Sequence, residues 1–258
     1  MEFVSNPLFL PIQYNHFLQG MIYEHISDRA LRRFLHEHGF SLEKRHFKLF
    51  TFSRLEGPFN LHPAEGVIEI LSPFRLVLSS IVDEIVRDFC ETITKKDSFN
   101  LVGQTVYVKG IEVVPTPEFN ANQPVRIRML SPVVMYSTTF RPTPEGPKRY
   151  TLYHSPWDEG YSELLYNNLA KKHMVCYGRR PASREFLLVP LYPRDDRQQK
   201  VMRFKGTVIK GWMGTYQLQG DPALLRLAYE TGLGSKNSLG FGCFEVENET
   251  LAPKARRD

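Results

Sequence analysis

Apolar residues recur at three- and four-residue steps in some stretches of the chain and at alternate positions in others. Between His16 and about His38, Leu18, Met21, Ile22, Ile26, Leu31, Phe34 and Leu35 follow a helical period. Ser27-Asp28 can begin a new helical turn, so this stretch is one kinked helix or two, and Gly39 stands where a C-terminal glycine stops it. Residues 2–13 read as extended, with Pro7 and Pro11 pointing to an edge or bent strand. Phe47–Leu55 and Val67–Ser72 read as strands, separated by Gly57-Pro58 and His62-Pro63. Leu76, Leu78, Ile81, Val82, Ile85 and Phe89 predict a second helix over about Pro73–Thr94, followed by strands at about 100–115. The order β-α-β-β-α-β is the ferredoxin-like arrangement.

The second half repeats this order with longer insertions. Strands are expected near 124–130 and 133–139, a helix near Asp158–His173, and strands near 184–192 and 200–219. Asp221-Pro222 supplies a capping aspartate and a first-turn proline for a helix over about Asp221–Tyr229, and a last strand falls at about 241–247. The fold class expected is therefore α+β, two tandem ferredoxin-like domains, residues 1–120 and 121–258. The tail Pro253–Asp258 reads as short, basic and mobile.

Charge sharpens this division. Residues 1–122 carry 12 Lys+Arg against 15 Asp+Glu, whereas residues 123–258 carry 21 against 13. The second half alone suits a polyanion, although a basic surface also serves solubility. Three widely spaced cysteines argue against a disulfide framework and a cysteine-based zinc site. No apolar run nears the roughly 18–20 residues that span a bilayer, and the N-terminus lacks a signal-peptide pattern, so a cytoplasmic protein without membrane contact is expected.

The densest motif is Gly232-Leu233-Gly234-Ser235-Lys236-Asn237-Ser238-Leu239-Gly240-Phe241-Gly242. Glycines let a backbone approach a phosphate closely, and the enclosed Ser235, Lys236, Asn237 and Ser238 add donors. In dinucleotide and P-loop folds such glycines follow a strand and open a helix. Here they follow a helix and precede a strand, which speaks against a nucleotide cofactor. A helix cap followed by a tight turn is the alternative. Arg126 and Arg128 alternate on one expected strand face, as do Arg203 and Lys205, which suits a basic RNA-binding groove. Tyr177 and Trp212 are candidate stacking residues.

The GhG, five residues, GhG pattern resembles the C-terminal loop of the CRISPR-associated Cas-six endoribonucleases of the RAMP superfamily. Tyr14-Asn15-His16, Leu18-Gln19-Gly20-Met21-Ile22-Tyr23, Leu35-His36-Glu37 and Lys48-Leu49-Phe50-Thr51 look like that family's first helical region and following strand. The resemblance implies two ferredoxin-like domains, CRISPR repeat RNA as partner, and His36 as the catalytic histidine, assisted by Tyr23 and Lys48. It also allows association with other CRISPR effector subunits or with a second copy of the chain.

The residues fit that chemistry. RNA carries its own nucleophile, the 2′-hydroxyl. Cleavage then needs a base, an acid and positive charge on the developing oxyanion, which histidine, tyrosine and lysine can supply. No metal or cofactor is expected, and the products would carry 2′,3′-cyclic phosphate and 5′-hydroxyl ends. On the residues alone His46 rivals His36, because period two puts His46 and Lys48 on one strand face; the resemblance selects His36. A non-catalytic RAMP-type subunit that only grips RNA is the alternative function.

Overall fold

Asp28 divides the first helical stretch. Its carboxylate accepts the N–H groups of Ala30 and Leu31, capping a new helix, so His16–His38 is two helices. The computed structural model describes residues 1–247 apart from 145 and 205. Lys205 and the tail Pro253–Asp258 therefore lie outside the described residues.

The first half runs β1 (Glu2–Val4), β2 (Leu8–Pro11), α1 (Asn15–Glu24), α2 (Arg29–Glu37), β3 (Phe40–Leu42), β4 (Arg45–Phe47), β5 (Phe50–Phe52), β6 (Phe59–His62) and β7 (Val67–Ile70). It continues with β8 (Phe74–Arg75), β9 (Leu78–Ser80), α3 (Asp83–Ile93), β10 (Ser98–Leu101) and β11 (Gln104–Gly110). The second half runs β12 (Val125–Met129), β13 (Tyr136–Arg141), β14 (Lys148–Tyr153), α4 (Tyr161–Tyr177) and β15 (Phe186–Pro190). It ends with β16 (Gln199–Phe204), β17 (Thr207–Trp212), β18 (Thr215–Gly220), α5 (Pro222–Thr231) and β19 (Phe244–Val246).

Both halves build the same antiparallel sheet. In the first, β11, β1 and β8 are neighbours, and β9, just after β8, pairs with β5. These are the fourth, first, third and second strands of a βαββαβ unit. In the second the order is β19-β12-β18-β15, again fourth, first, third, second. The protein is two ferredoxin-like units in tandem. Phe3, Phe50 and Phe52 pack with Leu18, Ile22 and Phe89 in one core. Ile127, Tyr216 and Leu218 pack with Leu165, Leu169 and Leu224 in the other.

Three expectations need correction. Residues 73–82 are not helical: α3 begins only at Asp83, and the preceding stretch forms β8 and β9. Phe74 and Leu76 are buried while Arg75 is exposed, a period of two that the helical reading overlooked. The strand expected over Phe47–Leu55 is broken, because Leu49 has φ +57° between β4 and β5. The strands expected to reach residue 115 end at Gly110. The β3–β4 hairpin, β6 and β14 were also not anticipated.

Candidate functional site

Gly39 sets one end of the site. It follows α2 with φ +66°, and a Cβ there would stand 2.6 Å from the Phe47 carbonyl oxygen and 2.7 Å from Lys48 Cδ. Glycine thus lets Lys48 lie against the end of α2, where its Nζ donates to the His36 carbonyl oxygen at 3.4 Å. Burial holds the Lys48 ammonium below the ordinary lysine value. Tyr23 meets the His36 ring edge-on, 5.9 Å between centroids, and packs at 6.0 Å against Phe50 on its other side. Burial pushes the Tyr23 hydroxyl up to about 12. Tyr23, His36 and Lys48 therefore come together from α1, α2 and the bend after β4, with the His36 ring exposed.

His46 is exposed on β4, with Nδ1 2.9 Å from the Ser41 hydroxyl. The broken strand removes the simple period-two link between His46 and Lys48, yet both line the same cleft.

That cleft, of about 500 Å3, opens between the two halves. Lys44, Arg45 and Lys48 enter it from the first half; Arg149, Lys172 and Lys236 enter from the second, with no carboxylate among its lining residues. Gly234, Ser235, Lys236, Asn237 and Ser238 form one wall. With no acid to neutralise Lys44, Arg45, Lys48, Arg149 and Lys236, the cleft concentrates positive potential where a polyanion can enter.

The glycine-rich loop is wedged between the halves rather than presented to solvent. Asn15 donates to the carbonyls of Leu239 and Gly240, Gln19 to Ser238, and Thr51 to Phe241. Gly232, Gly234, Gly240 and Gly242 all have positive φ. A Cβ on Gly242 would sit 2.0 Å from the Leu233 oxygen, and one on Gly234 would sit 2.4 Å from the Val134 oxygen. Gly232, Gly240 and Gly242 thus serve close packing, and of the four only Gly234 reaches the cleft. The polar residues they enclose do face it.

Beneath the loop lies a lysine that the sequence pattern did not single out. Lys172, 2% exposed, donates to the Gly232 carbonyl at 2.6 Å and to Asn237 Oδ1 at 2.8 Å, with the Thr231 carbonyl at 3.5 Å. Desolvation brings its ammonium down to about 7, opposed weakly by Cys176. One turn earlier on α4, Asn168 also lines the cleft. The available signal was spacing: Leu165, Asn168, Leu169 and Lys172 share one helical face and are all buried.

Arg126 and Arg128 share a face of β12 as expected, but they do not open onto the cleft. β19 is the adjacent strand, so Arg128 pairs with Glu245 at 2.6 Å and with Glu56 at 3.3 Å, and Arg126 pairs with Glu247 and Tyr192. Their charge is already matched. Arg203 is exposed on β16, away from the cleft lining. Trp212 is buried against Trp157 at 5.1 Å and cannot stack on a base, whereas Tyr177 is half exposed beside His173. Among the described residues no group of three His, Cys, Asp or Glu is placed to hold a metal, and no helix is long and apolar enough to cross a membrane.

Family models match nearly the whole chain: CRISPR-associated protein Cas6, N-terminal, over residues 9–112, and CRISPR associated protein Cas6, C-terminal, over residues 114–246. The CRISPR-associated endoribonuclease Cas6 1 of Methanocaldococcus jannaschii is 29% identical over 242 residues, covering 91% of this chain and 87% of its own. The CRISPR-associated endoribonuclease Cas6 of Pyrococcus furiosus is 29% identical over 252 residues, covering 95% and 87%. The structure of a Cas6-related protein from Pyrococcus furiosus shares the fold with a TM-score of 0.78, at 24% identity, over 96% of this chain and 98% of that one. A structure described as a RAMP protein binding different RNA substrates gives 0.76 at 24% identity, covering 96% and 98%. The paired sheets, the glycine-rich joint and these matches together establish that the chain belongs to the Cas6 family of CRISPR-associated proteins.

Proposed function

We propose that this protein is an endoribonuclease that binds CRISPR repeat RNA in the cleft between its halves and cleaves the precursor without a metal ion. The observation that carries the reading is the acid-free cleft, lined by six Lys and Arg side chains, that runs from Lys48 to the glycine-rich loop. Relatives named as CRISPR-associated endoribonucleases over most of their length support the same class of substrate.

In this reading residues 1–120 carry the catalytic groups and residues 121–258 carry much of the grip on RNA. His36 moves the proton, on the 2′-hydroxyl or on the leaving 5′-oxygen. Lys48 offsets charge on the scissile phosphate, and Tyr23, neutral through the physiological range, positions His36 or donates a hydrogen bond. Ser235, Lys236, Asn237 and Ser238, on the scaffold of Gly232, Gly234, Gly240 and Gly242, hold the RNA backbone. Arg203 extends the positive surface. Arg126 and Arg128, being ion-paired, contribute less than their charge suggests.

The test is cleavage of the genome's own repeat RNA in EDTA, comparing wild type with His36→Ala and His46→Ala. A second substrate carries one 2′-deoxy nucleotide at the cut site. Cutting by wild type, resistance of the deoxy substrate and failure of His36→Ala alone are the expected results. Failure of His46→Ala instead would keep the reaction class and move the site toward the cleft lining. Tight binding without any cutting would mean a subunit that grips RNA and does not process it.

A further inference from the structure

The β13–β14 hairpin extends from the wall of the cleft, and its ladder shows which residues share a face. Tyr136, Thr138 and Phe140 alternate on one side of β13, opposite Tyr153, Thr151 and Arg149 of β14. Tyr136, Thr138 and Arg149 line the cleft. Phe140 is therefore the next residue outward on the same face, directly across from a cleft arginine. It is 64% exposed, and among the described residues no ring or cation covers either side of it. On the hairpin's opposite face, Tyr150 is already capped by Arg141 at 3.9 Å. Lower in the cleft, Tyr136 is met by Lys236 at 5.1 Å. Phe140 is thus the uncovered aromatic along a face that carries polar and cationic side chains.

Resting on the RNA-binding reading above, we propose that Phe140 is a stacking platform for one unpaired nucleotide at the mouth of the cleft, with Arg149 holding the adjoining phosphate. The occupant is a single-stranded base rather than a paired one, because a base inside a duplex has no free π-face to offer. The cleft's positive lining delivers the backbone, and the exposed ring then adds affinity with little preference among bases.

The experiment uses the full chain and repeat RNA carrying a single 2-aminopurine walked along the strand. On wild type, one position should lose fluorescence on binding. Phe140→Trp should keep that quenching, whereas Phe140→Leu, which keeps apolar bulk without a ring, should lose it. Phe140→Ala should weaken binding about tenfold, as removal of a base-stacking ring does elsewhere, with an unchanged salt slope. Since Phe140 is on the surface, its variants should melt like wild type. Wild-type affinity for Phe140→Ala, with no position whose quenching depends on residue 140, would overturn this inference alone. Failure of the wild type to bind any RNA would overturn it together with the reading on which it rests.

Discussion

Replacing Lys172 with Met should make the stability of this protein respond differently to pH. The methionine keeps length and apolar bulk but removes the amine that holds Gly232 and Asn237, which strands acceptors at a cost of about 1–3 kcal/mol relative to the neutral amine. The pH dependence is the sharper test. Lys172 falls to about 7 when folded, against the ordinary lysine value of 10.5. Between these values the unfolded chain holds one proton more than the folded one, so wild-type stability rises with pH across that window and this contribution is flat below about 7. Each full unit contributes about 1.4 kcal/mol. With titration only half complete at pH 7, the gain to pH 9 from this residue is about 2 kcal/mol. The donor geometry agrees: a neutral amine has two N–H groups, and two acceptors lie within 2.8 Å while the third is at 3.5 Å. Urea melts of both proteins at pH 6.5, 7, 8 and 9, followed by circular dichroism, should show wild type gaining on the variant by that amount as pH rises. Contributions from all other titrating groups largely cancel in the difference. A difference that stays constant would refute the claim that burial lowers the Lys172 ammonium toward 7.

Gly242→Ala should cost at least 3 kcal/mol, since a left-handed residue and an overlap with the Leu233 oxygen add together. Gly66→Ala, with φ +69° but open space, should cost only about 1–2 kcal/mol in the same melts. Gly39→Ala pushes on Lys48 without touching RNA, so it should lower single-turnover cleavage by about a hundredfold while leaving RNA affinity within a few-fold; unchanged cleavage would separate Lys48 from catalysis. Arg149→Ala should reduce the slope of log affinity against log salt by about one, whereas the ion-paired Arg126→Ala should leave it unchanged. Equal effects of the two would mean that the cleft is not the path of the RNA backbone.

Parts of this structure can be read from the sequence because one local interaction decides them. Asp28 and Asp221 cap the helices that follow them, and Gly39 ends α2 with the positive φ its position requires. β8 and β9 are different. Leu76, Leu78, Ile81, Val82 and Ile85 satisfy a helical period, and only pairing of β8 with β1 and of β9 with β5 decides for strands. The proposed catalytic trio rests on a family likeness, and its convergence depends on a lysine crossing a glycine nine residues before it. Lys172 lies in a basic run from Lys171 to Arg184 whose charge alone reads equally as solvated surface or as a polyanion contact. Its neighbour Lys171 has the same chemistry, and only the phase of α4 sends one of them beneath the loop. Arg126 and Arg128 were legible as a face but not as neutralised, since their partners Glu245 and Glu247 lie more than a hundred residues away.

The glycine-rich joint turns its peptide dipoles inward. The carbonyls of Gly232, Leu233, Ser238, Leu239, Gly240 and Phe241 are each engaged by a side chain of the protein, drawn from α1, β5, α4 or the loop's own Asn237. The electronegative ends are thus occupied internally. The N–H groups of Leu233, Ser235, Leu239, Gly240 and Gly242 are likewise bonded to backbone oxygens, so what the joint shows to an approaching anion is chiefly its side chains, with Lys236 the cation among them. Such a wall needs no particular nucleotide order to attract RNA. On the proposed function, discrimination among sequences then falls to side chains elsewhere along the cleft, which leaves the joint free to stay the same while the RNA it meets changes.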